Sequence, residues 1–297
     1  MSLILTDQLK KSTKGYENLI AGFTGGFAAT LACHPIDLLR IRFSANEGKK
    51  GRPQYTSYRD AVKSIYNHRG FLAFYQGLTP SLLASSLSWG LYFQICHKIK
   101  GQVAHFNIDT ELENFVVSGI TGAIIQSFTN PIWVAKTRLC LQYENEKKVY
   151  TGLVNCVSTI ARKEGVKSLY SGFIPGLFGT LHGSFQFSSY EWMKMRRTEY
   201  LGLEKDEKLG SLDILAFSVI SKILATTATF PYQVLRTRLQ DRANVNETLR
   251  KLISRTYANE GMAGFYKGLL AGNIKQLPAA VVTYWTYENV KYILLDC

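Results

Sequence analysis

Three stretches decide the fold: PIDLLRIR (35–42), PIWVAKTR (131–138) and PYQVLRTR (231–238). Their prolines are 96 and 100 residues apart. Each is followed at five residues by Lys or Arg (Arg40, Lys136, Arg236) and at seven by Arg (Arg42, Arg138, Arg238). A second block lies downstream of each: RGFLAFYQG, EGVKSLYSG and EGMAGFYKG, ending at Gly77, Gly172 and Gly268, which are 95 and 96 residues apart. Two motifs agreeing in three registers mean internal repetition. The chain reads as one domain over 1–297, with repeats at 14–105, 108–203 and 208–297.

Each repeat holds two segments of membrane length. Charge-free runs cover Leu78–Cys96, Asn114–Ala135 and Ser168–Tyr190, of 19, 22 and 23 residues, against the roughly 20 that span hydrocarbon. Leu19–Cys33 is shorter, and the last two segments each hold one lysine, Lys222 and Lys275. Small residues four apart (Gly22 and Gly26, Ser118 and Gly122, Gly172 and Gly176, Gly268 and Gly272) suit close packing of helices in lipid. The expected fold is an all-α membrane protein of six transmembrane helices in three pseudo-threefold repeats.

Charge orients that bundle. The long connections 42–77, 138–172 and 238–268 hold 19 Lys or Arg and 8 Asp or Glu, whereas 97–113 and 191–213 hold 7 and 9. The positive loops therefore face inside, and an even helix count leaves both termini on the other side. Ser57–Tyr66, Leu153–Lys163 and Thr248–Ala258 mix apolar and basic positions at helical spacing, which predicts short interfacial helices.

Composition excludes more than it selects. The net charge of +13 suits nucleic acid, a membrane surface or an anionic solute. The five cysteines form no CxxC pair and no zinc spacing with histidine, so neither a disulfide framework nor a metal site is expected. MSLILTDQLKKSTKG resembles neither a secretory signal nor a cleaved transit peptide. No phosphate loop, dinucleotide fingerprint or nucleophile motif occurs, so neither an enzyme nor a bound cofactor is expected.

The pattern P-x-[DE]-x-x-[KR]-x-[KR], followed by [DE]-G and an aromatic-x-G, resembles the mitochondrial carrier family over essentially the whole chain. The resemblance implies helices kinked at the prolines and short helices on the matrix side. It also implies two ionic gates that close alternately. The matrix gate falls on Asp37, Arg40, Lys136, Arg236 and Gln240, with Asp37 paired to Lys136. Trp133 and Gln233 stand where two acids are expected, so this gate should be poor in ion pairs and locally positive. Ser44 and Cys140 depart from the bracing glutamine kept at Gln240. The cytosolic gate falls on Glu191 with Lys194, Glu288 with Lys291, and Lys100, with His97 replacing an acid. An inner mitochondrial membrane location and cardiolipin at the Gly-aromatic-x-Gly blocks are further implications. A monomer suffices.

At 100° per residue, Lys222, Thr226, Thr229, Gln233 and Arg236 share one face, and Gln126, Thr129, Trp133 and Lys136 share another. Ionisable groups within membrane helices are functional by default, which singles out Lys222 and Lys275. A cavity carrying Lys222, Lys275 and Arg236 favours an anion. Trp133 and Trp89 offer indoles for a planar ring, and His182 with Gln186 could bond its edge. NPIWVAKTR, LSWGLYF and FPYQVLR-x-RLQD are similar to the folate/FAD branch of the family, which implies a folate, FAD or related nucleotide as substrate. Carriers of NAD share the gate tryptophan and stay open as an alternative. So does a scaffold or basic helical-repeat protein, although no nucleic-acid partner is expected.

Overall fold

The computed structural model describes residues 17–48, 52–53, 55–103, 110–145, 148–202, 210–245 and 247–296. Among them every regular element is helical: α1 (Glu17–Ser44), α2 (Tyr58–Arg69), α3 (Leu78–Val103), α4 (Thr110–Cys140), α5 (Leu153–Lys163), α6 (Phe173–Leu177), α7 (Gly179–Leu201), α8 (Ser211–Gln240), α9 (Leu249–Glu260), α10 (Leu269–Ile274) and α11 (Gln276–Asp296). Helices α1, α4 and α8 continue through Pro35, Pro131 and Pro231. Each of these prolines deletes one helical hydrogen bond without ending the helix.

The expected short helices form, with small shifts at their ends. Leu153–Lys163 keeps its bounds as α5. The other two run on to Arg69 and Glu260 and begin one residue later, with Ser57 and Thr248 at the N-cap position and the Ser57 hydroxyl accepting from the Asp60 N–H. Each buries one stripe at spacing four: Ala61 and Ile65, Cys156 and Ile160, Leu252 and Thr256.

Two expectations need correction. The charge-free run Ser168–Tyr190 is not one helix. It starts in a 3-10 turn (Val166–Tyr170), passes through α6 and restarts after Phe178 as α7. The last segment breaks likewise at Lys275, and Pro278 falls in the first turn of α11, where a missing N–H costs nothing. Nor do Gly22 and Gly26 mediate close packing, since a Cβ on either would meet nothing within 4 Å. The close approach is at Gly25, where a Cβ would lie 2.8 Å from the Thr283 carbonyl oxygen on α11.

The bundle closes on itself. Helix α3 packs along α4, α7 along α8 and α11 along α1, each repeat leaning on the next and the third on the first. At one end, called here the loop end, two contacts repeat around the ring. Gly77, Gly172 and Gly268 have φ of 81°, 73° and 93°. A Cβ on them would fall 3.1, 3.0 and 2.8 Å from the carbonyl oxygens of Lys136, Arg236 and Arg40. Only glycine fits both that φ and that approach. In the same sense, Arg42 Nε donates to the Cys140 carbonyl, Arg138 Nε to that of Gln240 and Arg238 Nε to that of Ser44.

The long helices carry exposed Phe23, Phe27, Phe128, Phe187, Trp192, Leu215 and Trp285, while His34, Asp37, Lys136, Thr229 and Arg238 are buried. That inversion of apolar and polar positions suits a lipid surround. One stretch, Asp213–Gln240, is by length and mean hydropathy sufficient to cross a bilayer. The other long helices span 21 to 31 residues.

Candidate functional site

Two of the three repeated basic positions, Arg40 and Lys136, meet at the loop end around one carboxylate, with Lys275 as the third cation there. Asp37 is buried. Its Oδ2 accepts from Lys136 Nζ at 2.6 Å, its Oδ1 accepts from Lys275 Nζ at 2.9 Å, and Arg40 lies 3.6 Å from Oδ1. The pairing of Asp37 with Lys136 is thus present. The contact with Lys275 is one that motif reading missed, because Lys275 lies outside both repeated blocks. A single acid facing several bases leaves the locus positive, and desolvation keeps any one of these pairs from being strongly stabilising.

Trp133, two residues after its proline, is half-buried in the same layer. Its ring lies 5.1 Å from Lys136 Nζ and 6.0 Å from the Arg236 guanidinium carbon. Gln240 does not reach the ion pair through its described bonds. Its Oε1 accepts from Thr137 Oγ1 at 2.6 Å, one residue along from Lys136.

Beside Asp37 opens a cavity of about 270 Å³ lined by Arg40, His182, Lys222, Thr226, Gln233, Gly272, Lys275, Gln276 and Ala279. Three cations, two amides and an imidazole line it, and among the described residues no carboxylate does. His182 Nδ1 is 3.0 Å from Thr229 Oγ1, and Gln276 Nε2 donates to Thr226 Oγ1 at 2.6 Å, so the wall's polar groups are preset by neighbours. Gln126 is not on this wall. It bonds Asn130 at 3.2 Å, and Asn130 in turn donates to the Leu169 carbonyl. Trp133 and Arg236 are also absent from the lining; the ring is near Lys136 and Arg236. Arg40 and Gln276 line it without having been singled out for substrate, although Arg40 falls on the repeated motif.

At the opposite end the expected acids and bases sit along single helices. Glu191 and Lys194 are 3.9 Å apart within α7, and Lys291 sits 5.7 Å from the ring of its own-helix neighbour Tyr287. Glu288 is exposed. None of these pairs joins two helices among the described residues. The side chains of Trp89, His97 and Lys100 lie outside the described set.

Three repeats fused into a closed ring, one acid among bases at one end and a cationic cavity above it define a solute-transport bundle. Sequence comparison agrees. The profile described as mitochondrial carrier protein matches residues 11–106, 109–200 and 207–296. The chain belongs to the mitochondrial carrier family, and is a transporter rather than an enzyme. It is similar to folate transporter 1, chloroplastic, of Arabidopsis thaliana, 36% identical with 94% of this chain and 96% of the relative covered. It is 29% identical to the mitochondrial FAD carrier protein of Saccharomyces cerevisiae, covering 94% and 97%. Nicotinamide adenine dinucleotide transporter 1, chloroplastic, of Arabidopsis thaliana is 31% identical, covering 94% and 92%.

Proposed function

We propose that the protein moves an anionic cofactor with a planar ring, folate or FAD, across the mitochondrial inner membrane. Six helices span the bilayer, and the loop end faces the matrix. The observation that carries this reading is the cavity wall: Arg40, Lys222 and Lys275 converge there without a carboxylate among the lining residues. Three cations on one wall favour phosphate or carboxylate groups. The similarity to folate and FAD transporters supplies the ring.

Transport proceeds by alternating access. In this reading Asp37, through Lys136 and Lys275, holds the loop end shut, and the expected acids and bases of the opposite end are not paired between helices among the described residues. An anion entering from the opposite end competes with Asp37 for Lys275. Releasing that contact loosens the layer that Asp37 holds together, because the same carboxylate also binds Lys136. The Glu191, Lys194, Glu288 and Lys291 groups then close the opposite end. The ring closes within one chain, so a monomer is sufficient. Helix starts at Gly172 and Gly268 next to basic loops suit cardiolipin headgroups.

The test is uptake into liposomes holding the purified protein, with labelled FAD and a reduced folate beside NAD and ATP. Saturable uptake of FAD or folate is expected. Uptake of NAD or ATP alone would overturn the substrate and keep the carrier. Absence of uptake by verified folded protein would overturn both.

A further inference from the structure

The loop-end layer has a repeated register: two residues after each proline stand Asp37, Trp133 and Gln233, and five after stand Arg40, Lys136 and Arg236. In the described geometry the first residue of one repeat reaches the second residue of the next. Asp37 of repeat one grips Lys136 of repeat two at 2.6 Å. Taken in the same sense, the next link runs from Trp133 of repeat two to Arg236 of repeat three. Trp133 offers no carboxylate, but the guanidinium lies 6.0 Å from the indole centroid and Lys136 lies 5.1 Å from it. Both distances fall within the range at which an aromatic face attracts a cation.

Two further observations make this link specific to Arg236. One buried guanidinium nitrogen, Nη2, has no hydrogen-bond acceptor among the described residues, which leaves the guanidinium in need of the ring's attraction. Across from it stands Gly176, where a Cβ would lie 3.2 Å from the guanidinium carbon, so the glycine leaves the room in which the guanidinium sits. We infer that Trp133 is the second latch of the loop-end closure, holding Arg236 by its ring face where the register calls for a carboxylate. The inference rests on reading this end as a gate. It makes Trp133 a positioning residue whose face is already occupied while the gate is shut. A planar substrate reaches that face only as Arg236 leaves it.

The latch differs from an ion pair in what breaks it. An uncharged ring has no proton to gain, and its hold on a cation depends on the ring's charge distribution rather than on bulk alone. The test is a double-mutant cycle on the purified full chain, reading the midpoint of thermal unfolding for Trp133→Ala, Arg236→Ala and both together. The loss caused by Trp133→Ala should be roughly halved when Arg236 is already Ala. Trp133→Phe should keep a midpoint above that of Trp133→Leu, which retains apolar bulk without a ring. Losses that simply add would overturn the proposal, whatever solute is carried. If the alanine variants do not fold, the Phe and Leu variants decide alone, and equal midpoints for them would overturn it.

Discussion

The first repeat and the other two solve the same problem with different acids. Each repeat buries an arginine at the loop end: Arg42, Arg138 and Arg238. In repeats two and three the partner is local, from the EG block. Arg138 meets Glu164 at 2.8 Å and Arg238 meets Glu260 at 2.8 Å. Repeat one has Arg69 at that position. Its carboxylate comes instead from repeat two: Glu144, 2.7 Å from Arg42 and also receiving hydrogen bonds from Tyr55 at 2.7 Å and Ser64 at 2.8 Å. Arg69 turns to the carbonyls of Gln142, Tyr143 and Glu144, fixing the turn that presents the acid. The lesson concerns what the buried arginine requires. A charge removed from water must be paired, but the chain is free to choose which segment supplies the pair.

The largest effect should come from breaking that borrowed clamp. The Arg42 and Glu144 side chains are 0% and 1% exposed, whereas Glu164 and Glu260 are 14% and 12% exposed. Glu144→Ala should cost about 3–5 kcal/mol, the usual result of orphaning a buried charge. Glu164→Ala should cost less, because water reaches its site. Glu260→Ala should cost least, because Glu47 lies 3.7 Å from Arg238 as a second acid. Unfolding midpoints of the three purified variants check this order; equal losses would erase the distinction between borrowed and local clamps.

Next come the cations of the transport path, which should separate transport from stability. Lys275→Ala and Arg236→Ala should each lower uptake by about tenfold or more, equivalent to at least ~1.4 kcal/mol. Their midpoints should fall less than that of Glu144→Ala. Near-normal uptake by both variants would remove the argument for an anionic solute.

A smaller gain is expected from restoring the missing acid. In a Glu144→Ala background, Arg69→Glu puts a carboxylate where Glu164 and Glu260 stand in their repeats. It should recover ~1–2 kcal/mol of the loss, with the two changes coupled as neighbours are. No recovery would mean that the turn held by Arg69 matters as much as the charge.

The smallest effect is one of pH. Burial alone would raise the Glu144 carboxyl, but the Arg42 charge and the hydrogen bonds of Tyr55 and Ser64 outweigh it and leave it below its ordinary 4.5. A carboxyl with a depressed folded-state value adds stability that is present above about pH 4.5 and fades as pH falls through the folded value. The midpoint of the unaltered protein should therefore drop on acidification in that window. Glu144→Gln should lack that part of the drop, and identical acid profiles for the two proteins would contradict the pairing.

The sequence made the architecture legible because repetition is itself a geometric statement. Three copies of a proline and two bases fix three equivalent positions, and the structure brings Arg40, Lys136 and Asp37 into one layer. Leu153–Lys163 was readable to the residue because apolar spacing and polar ends agree there. What escaped was interaction across repeats outside the motifs. Glu144 lies in no motif, and the signal for it was negative: Arg69 where the other repeats have Glu should have prompted a search for an acid elsewhere. The breaks after Phe178 and at Lys275 escaped because absence of charge measures hydrophobic length, not helical continuity. Helical angle placed Gln126 and Trp133 on an inward stripe, but their neighbours decide whether such residues meet the cavity, and both are turned to other partners.

The ring of arginine Nε contacts has a consequence for how this chain can drift. Its acceptors are the carbonyls of Cys140, Gln240 and Ser44, main-chain atoms that every amino acid carries. A thiol, an amide and a hydroxyl therefore occupy the three equivalent places without weakening the joint between repeats. Mutation at those sites changes the side-chain contacts beside the joint, Ser44 to the Lys267 carbonyl, Thr137 to Gln240 and Cys140 to the Gln76 carbonyl, while the arginine contact is inherited with the backbone. That separation lets the three once-equal copies diverge, each toward its own share of an asymmetric solute, while the threefold frame stays intact.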